Sequence, residues 1–306
     1  MNSLFLQLKY FAQVCEQSWP PKPQFSTDQI PDLSGRIALL EHNAKTYLAV
    51  RNKEKADETI AELKELTGKE AIFLDLDLSS LASVRRAAAQ FLSKEKELHI
   101  LFNNAGVMWC PVELITEDGF DMQWGTNVVG HFLFTELLVP ALAAGARTSP
   151  DNYSRVVTTS SCTSYARNID YDTFRDSPKR NKIGTYNLYY QSKLGNAMVA
   201  RDAAKRYGDQ GILSFSCNPG NLRTDLMRRT TGFRAWFILQ DTMVYPARLG
   251  ALTQLWAGTM PETAKYNGEF LIPWARLGKC RHEVYDPKET EKLWAWLEDA
   301  VKPIAG

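Results

Sequence analysis

Beyond residue 36 the chain alternates between two hydrophobic rhythms. Short apolar runs at 45–51, 71–76, 99–102, 155–159, 212–217 and 269–272 predict strands, with the last run closing the sheet. Longer segments carry their apolar residues on one helical face. They are 54–66 (Ala56, Ile60, Leu63 and Leu66 on one side), 80–92, 119–142, 189–207 and a closing helix at 289–301. Gly68 stops the first of these. Strands that alternate with helices predict an α/β fold: a doubly wound parallel sheet, Rossmann-like, in a single domain over residues 31–306.

Residues 1–30 follow a different pattern. Leu4, Phe5, Leu8, Phe11 and Cys15 share one helical face, and Trp19-Pro20-Pro21-Lys22-Pro23 then ends any helix. The segment has neither a basic leader nor a small-residue cleavage site. It is expected to be an amphipathic helix and a proline-rich linker, lying on its own domain or on a second copy in a homo-oligomer. A peripheral membrane contact is the alternative, and Lys9 as the only basic residue of the helical stretch argues against an electrostatic one.

Composition narrows the function classes. Hydrophobic residues make up 44% and charged residues 23% of the 306, and the net charge of +1 gives no electrostatic footprint for nucleic acid. The five cysteines (15, 110, 162, 217 and 280) form no CxxC pair, which excludes a metal or disulfide framework and fits a reducing, cytoplasmic setting. No apolar run reaches the ~18 residues of a transmembrane segment.

The candidate chemistry lies at predicted strand ends and on one helix. Tyr189 and Lys193 are four apart and so share a helical face. A carbonyl being reduced needs a proton on its oxygen. A phenol supplies it when its pKa, ~10 in the free side chain, is pulled down by a nearby ammonium. Upstream, Arg155-Val156-Val157-Thr158-Thr159-Ser160-Ser161 is a strand whose end presents hydroxyls, and Asn103-Asn104-Ala105-Gly106 closes another. Thr126-Asn127-Val128-Val129-Gly130-His131-Phe132 lies in the helix between them, and Asn218-Pro219-Gly220-Asn221-Leu222-Arg223-Thr224 ends a further strand. In α/β sheets, sites form at such carboxyl ends.

This order of motifs resembles the short-chain dehydrogenase/reductase family from about residue 33 to residue 300, and most of all its retinol-dehydrogenase-like branch. The resemblance implies an oxidoreductase moving a hydride between a nicotinamide and an alcohol or ketone. Tyr189 would be the general acid/base. Lys193 would lower its pKa and bind the nicotinamide ribose, Ser161 would hold the substrate oxygen, and Asn127 would anchor a water in the proton relay. Ser160 is the weaker serine candidate. On the cofactor side, Arg51 ends the second family strand, where an arginine suits the 2′-phosphate of NADP and an acidic residue would suit NAD. Asp77 and Leu78 would meet the adenine, with Asp75 a competing aspartate. Asn104 and Gly106 would support its ribose, and Leu222 and Thr224 the carboxamide and phosphates. In the family, the stretch 225–245, with Leu226, Met227, Trp236 and Phe237, forms a lid over the substrate. Its apolar content implies a small lipophilic substrate. Residues 162–184, dotted with Tyr165, Tyr171 and Phe174, form a polar insertion beside it.

One departure stands out. The family opens with a strand, a glycine-rich turn under the pyrophosphate, and a helix. Here Gly35 is followed by no glycine until Gly68, and only seven residues separate Ala38 from Thr46. A parallel crossover takes about a dozen or more residues, so the first strand and its helix are expected to be truncated. Losing most of a central strand exposes two ladder edges, which predicts a poorly stable chain with a patched first strand. The alternative function is then a catalytically impaired remnant, or an incomplete gene product, acting as a binding or interaction protein.

Overall fold

The computed structural model describes residues 9–38, 44–224 and 244–302. An N-terminal helix, α1 (Phe11–Ser18), precedes the strands β1 (Ile37–Ala38) and β2 (Lys45–Val50), helix α2 (Lys53–Thr67), β3 (Ile72–Asp75), α3 (Leu81–Lys94) and β4 (Ile100–Asn103). Helix α4 (Met122–Thr148) leads to β5 (Ser154–Thr159), α5 (Pro178–Tyr207) and β6 (Ile212–Cys217). Two short strands, β7 (Leu222–Arg223) and β8 (Tyr245–Pro246), pair beside the sheet, and α6 (Ala247–Thr259), β9 (Phe270–Ile272), β10 (Arg276–Gly278) and α7 (Pro287–Ala300) complete the chain.

The strands β3-β2-β1 form one run and β4-β5-β6-β9-β10 another, parallel throughout except for the β9/β10 pair. The two runs meet where His99 N donates to Ile37 O at 3.1 Å. The resulting order, 3-2-1-4-5-6, is that of a doubly wound dinucleotide-type sheet. Strand β1 is described over Ile37–Ala38, with Ile37 opposite Lys45 and Ala38 opposite Thr46. Among the described residues, Tyr47–Val50 of β2 pair only with β3. The segment 39–43, where the glycine-rich turn would be sought, lies outside the described residues.

Helices cover both faces. Val84 and Phe91 of α3 and Leu133 and Leu142 of α4 pack on Leu74, Leu101 and Val156 of the sheet. Phe132 of α4, Leu194 and Met198 of α5, and Leu293 and Trp294 of α7 form a second cluster. On the opposite face Leu252, Leu255 and Trp256 of α6 meet Ile100, Val157 and Phe215, and Phe25, Ile30 and Leu33 join them. Helix α4 is long and apolar enough to cross a membrane by length and composition. However, 67% of its most apolar window is buried in this domain, which makes it a core helix. It approaches the β3–α3 loop because Gly130 carries no side chain: a Cβ there would lie 2.4 Å from the Leu78 carbonyl.

Several expected boundaries move. Ile272 does not end the sheet, because the chain turns at Pro273 and returns as antiparallel β10. Helix α5 begins at Pro178, capped by the Ser177 side chain, and Gly184 (φ 74°) interrupts it before the stretch that carries Tyr189. The insertion at 162–184, expected to be polar, packs into the core. Tyr165 and Phe174 are buried, Phe174 stacks on Trp124 with ring centroids 3.6 Å apart, and Arg180 pairs with Asp121 at 3.1 Å in the interior. Helix α1 does lie on its own domain, but on a rotated face. Phe11 is 64% exposed, while Tyr10, Gln17 and Ser18 are buried.

Candidate active site

The carboxyl ends of β2 to β6 open into a cleft of about 900 Å³. Its lining includes Asn104 and Gly106 after β4, Ser160, Ser161 and Cys162 after β5, Tyr189, Tyr190 and Lys193 on α5, and Pro219, Gly220, Leu222 and Thr224 after β6. Leu48 and Val50 of β2 and Leu101 and Phe102 of β4 also line it. The volume is within the ordinary range for a small-molecule site.

Three expected catalytic side chains converge there. Tyr189 and Lys193 are buried on one face of α5, with Lys193 Nζ 5.7 Å from the centre of the Tyr189 ring. A hydrogen bond to Ser161 lowers the phenol's pKa, but burial outweighs it and holds the pKa well above its ordinary value. Ser161 Oγ also accepts from Thr163 N at 3.2 Å, which fixes the turn after β5. Ser160 is the wrong serine for this role, since its hydroxyl is buried and donates to the Lys193 carbonyl at 2.6 Å.

The Lys193 ammonium donates to the Thr159 carbonyl at 2.9 Å, and burial is the largest influence on the titration of both Lys193 and Tyr189. Burial lowers the Lys193 pKa from 10.5 to about 8. An ammonium removed from water and given one neutral acceptor loses more solvation than it regains.

Asn127 is fully buried in a π-helical turn, Gly125–Gly130, that interrupts α4. Its Oδ1 accepts from Val107 N at 2.8 Å, and its Nδ2 donates to Val107 O at 2.9 Å and Ser192 Oγ at 3.1 Å. The side chain thus clamps the backbone just after Asn103-Asn104-Ala105-Gly106 and ties it to α5. Gly106 is required at this clamp: an added Cβ would lie 2.9 Å from Asn127 Oδ1 and 3.8 Å from Lys193 Nζ. Gly106→Ala is therefore expected to weaken cofactor binding by about tenfold, given roughly 1–2 kcal/mol for a displaced buried hydrogen bond. Titration of the variant with NADPH checks this.

His131 was visible in the sequence motif but given no role there. Nε2 lies 2.7 Å from the Ala105 carbonyl, and the Asn103 amide nitrogen beside the ring donates to Thr135 Oγ1 at 2.8 Å. Burial pushes its pKa down to about 4, so the ring is neutral. Because the Ala105 carbonyl can only accept, Nε2 carries the proton. His131 thereby braces the strand end from below. Its position four residues after Asn127 was the available signal.

The cofactor-side residues divide into two groups. Leu78, Asn104, Gly106, Leu222 and Thr224 line the cleft. Asn104 Oδ1 accepts from Thr159 Oγ1 at 3.1 Å and Gln254 Nε2 at 3.0 Å. Arg51 and Asp77 do not line it. Arg51 is exposed just before α2, and the Asp77 carboxylate closes its own turn by accepting from Ser79 N at 2.8 Å. Asp75 is exposed at the end of β3. Of the expected lid, residues 225–243, with Leu226, Met227, Trp236 and Phe237, lie outside the described residues. Among the described residues no group of three potential metal ligands is present.

A parallel sheet in dinucleotide order, with a tyrosine, a lysine and a serine gathered at its carboxyl edge, defines a Rossmann-type oxidoreductase fold. Residues 36–173 match the family model described as short chain dehydrogenase. A short-chain dehydrogenase/reductase of Armillaria gallica is 54% identical over 298 residues, covering 92% of this chain and 95% of the relative. Human retinol dehydrogenase 12 is 33% identical over 261 residues, covering 84% and 78%. Among solved structures, the Pseudomonas aeruginosa RhlG/NADP active-site complex superposes with a TM-score of 0.58 at 26% identity, covering 77% of this chain and 86% of that one. The chain belongs to the short-chain dehydrogenase/reductase family.

Proposed function

We propose that the protein is an NADP-dependent oxidoreductase that moves a hydride between the nicotinamide and a small lipophilic ketone or alcohol, with Tyr189 as general acid/base, in the cytoplasm. The observation that carries this reading is the buried Tyr189 phenol, bonded to Ser161 beside Lys193 in a largely apolar cleft. A carbonyl oxygen bonded by the Ser161 hydroxyl lies within reach of the phenol. The Lys193 ammonium favours the negative charge left on the phenolate. When bound, NADPH supplies the hydride.

Whether the chain fits such a cofactor is read from its own residues. Gly106, with no room for a Cβ, and the apolar Leu78 and Val50 suit close approach of a ribose and an adenine. Leu222 and Thr224 would hold the carboxamide and phosphates, and Arg51 the 2′-phosphate. Arg51→Asp is expected to reduce the ratio of kcat/KM for NADPH over NADH by roughly 10- to 100-fold, on about 1.5–3 kcal/mol for a charge-assisted hydrogen bond. Steady-state kinetics with both cofactors checks it.

A panel of retinoid, steroid and polyketide-like ketones with NADPH tests the substrate class. Turnover of these supports the proposal, and turnover confined to small polar ketones contradicts it. A second reading, a remnant that binds without turnover, is favoured by the five residues 39–43, Leu-Leu-Glu-His-Asn, which offer no glycine under a pyrophosphate.

A further inference from the structure

Helix α1 lies before the first strand, outside the doubly wound core, yet two of its residues, Val14 and Ser18, line the same cleft as Ser161 and Tyr189. We propose that α1 is a wall of the substrate pocket, with Val14 and Ser18 contacting the apolar part of the substrate remote from the reacting carbon. This inference rests on the oxidoreductase reading above and adds a residue set that determines substrate size.

The placement of α1 is built rather than incidental. Gln17 is 2% exposed and sits in the middle of a buried hydrogen-bond chain. Asn218 Nδ2, at the end of β6, donates to Gln17 Oε1 at 2.9 Å, and Gln17 Nε2 donates to the Tyr165 hydroxyl at 2.9 Å. Tyr165 in turn donates to the Lys279 carbonyl. The other end of that relay touches the cleft floor, because Asn218 Oδ1 accepts from Gly220 N at 3.0 Å. Tyr10 packs at a tilt against Tyr165, with ring centroids 5.2 Å apart, and bonds His282 Nδ1 at 2.8 Å. The Ser18 carbonyl accepts from Tyr245 at 3.3 Å. A buried polar network with every member partnered fixes one geometry, since each alternative strands a donor or acceptor.

This geometry decides which end of the cleft α1 serves. Tyr165 ends the short turn Cys162–Tyr165 that begins one residue after Ser161. Helix α1 therefore stands beside the turn that follows Ser161. There Val14 joins Cys162 and Tyr190 among the lining residues. An isopropyl group, a thiol and a phenol ring suit an apolar substituent rather than a charged one.

The test uses the full chain, Val14→Trp, and Ala12→Trp on the exposed face of the same helix. The readout is the ratio of kcat/KM for 1-acetonaphthone to that for cyclohexanone with NADPH. Val14→Trp is expected to lower this ratio by about tenfold or more, as steric exclusion from an apolar pocket does. Ala12→Trp is expected to leave it unchanged. An equal ratio in wild type and Val14→Trp, or an equal fall in both variants, overturns the proposal. Photolabelling of the wild type with benzophenone gives a readout independent of turnover. Label on the peptide carrying Val14 supports the proposal, and its absence there overturns it. Failure of the oxidoreductase reading appears separately, as no turnover of any ketone by the wild type.

Discussion

Tyr189→Phe is expected to lower kcat by about 10²- to 10⁴-fold, the contribution of a positioned general acid. The substitution removes one oxygen from a fully packed position and leaves the ring against its neighbours. NADPH affinity is then expected to change by no more than about threefold, and Tm by a few degrees, since a single net hydrogen bond contributes roughly 1 kcal/mol. The expected signature is thus a fall in kcat without a matching fall in cofactor affinity, read by steady-state kinetics beside a cofactor titration. A loss below tenfold would mean that another group supplies the proton.

Lys193→Met is expected to affect activity and stability in opposite directions. The ammonium is buried with its pKa lowered from 10.5 to about 8, so the folded chain binds this proton less well than the unfolded chain. Between those values the unfolded state holds more protons, and stability from this group rises with pH. Below about 8 the full penalty applies, on the order of 3 kcal/mol. Methionine removes that penalty at the cost of one hydrogen bond. The abandoned Thr159 carbonyl still accepts from Asn196 Nδ2 at 3.0 Å. The net expectation at pH 7 is a gain of about 1–2 kcal/mol, or roughly 2–6 °C in Tm, shrinking as pH approaches 10.5. Over the same range kcat/KM is expected to fall by about 10³-fold. A Tm lowered at pH 7 would show that Lys193 stabilises the fold.

How much was legible follows from how local each signal is. Strand β6 was readable to the residue, because Ile212–Cys217 is an uninterrupted run buried on both faces. The convergence of Tyr189, Lys193 and Ser161 was readable because helix period and strand-end position fix it. The π turn at Gly125–Gly130 was not, since its extra residue is held by Asn127 bonding to Val107, twenty positions away. Nor was the buried face of α1. Apolar spacing pointed to Phe11 and Cys15, but the hydrogen bonds of Gln17 to Tyr165 and Asn218 orient the helix. Antiparallel β10 was hidden because Arg276-Leu277-Gly278 has no strand-like pattern of its own and is recruited by β9.

A titration of the folded full-length chain with NADPH, followed by tryptophan fluorescence, is the most direct test. Saturable quenching at micromolar NADPH, weaker in Gly106→Ala, is the predicted result. A cooperatively folded chain that gives no saturable response up to millimolar NADPH would contradict the account.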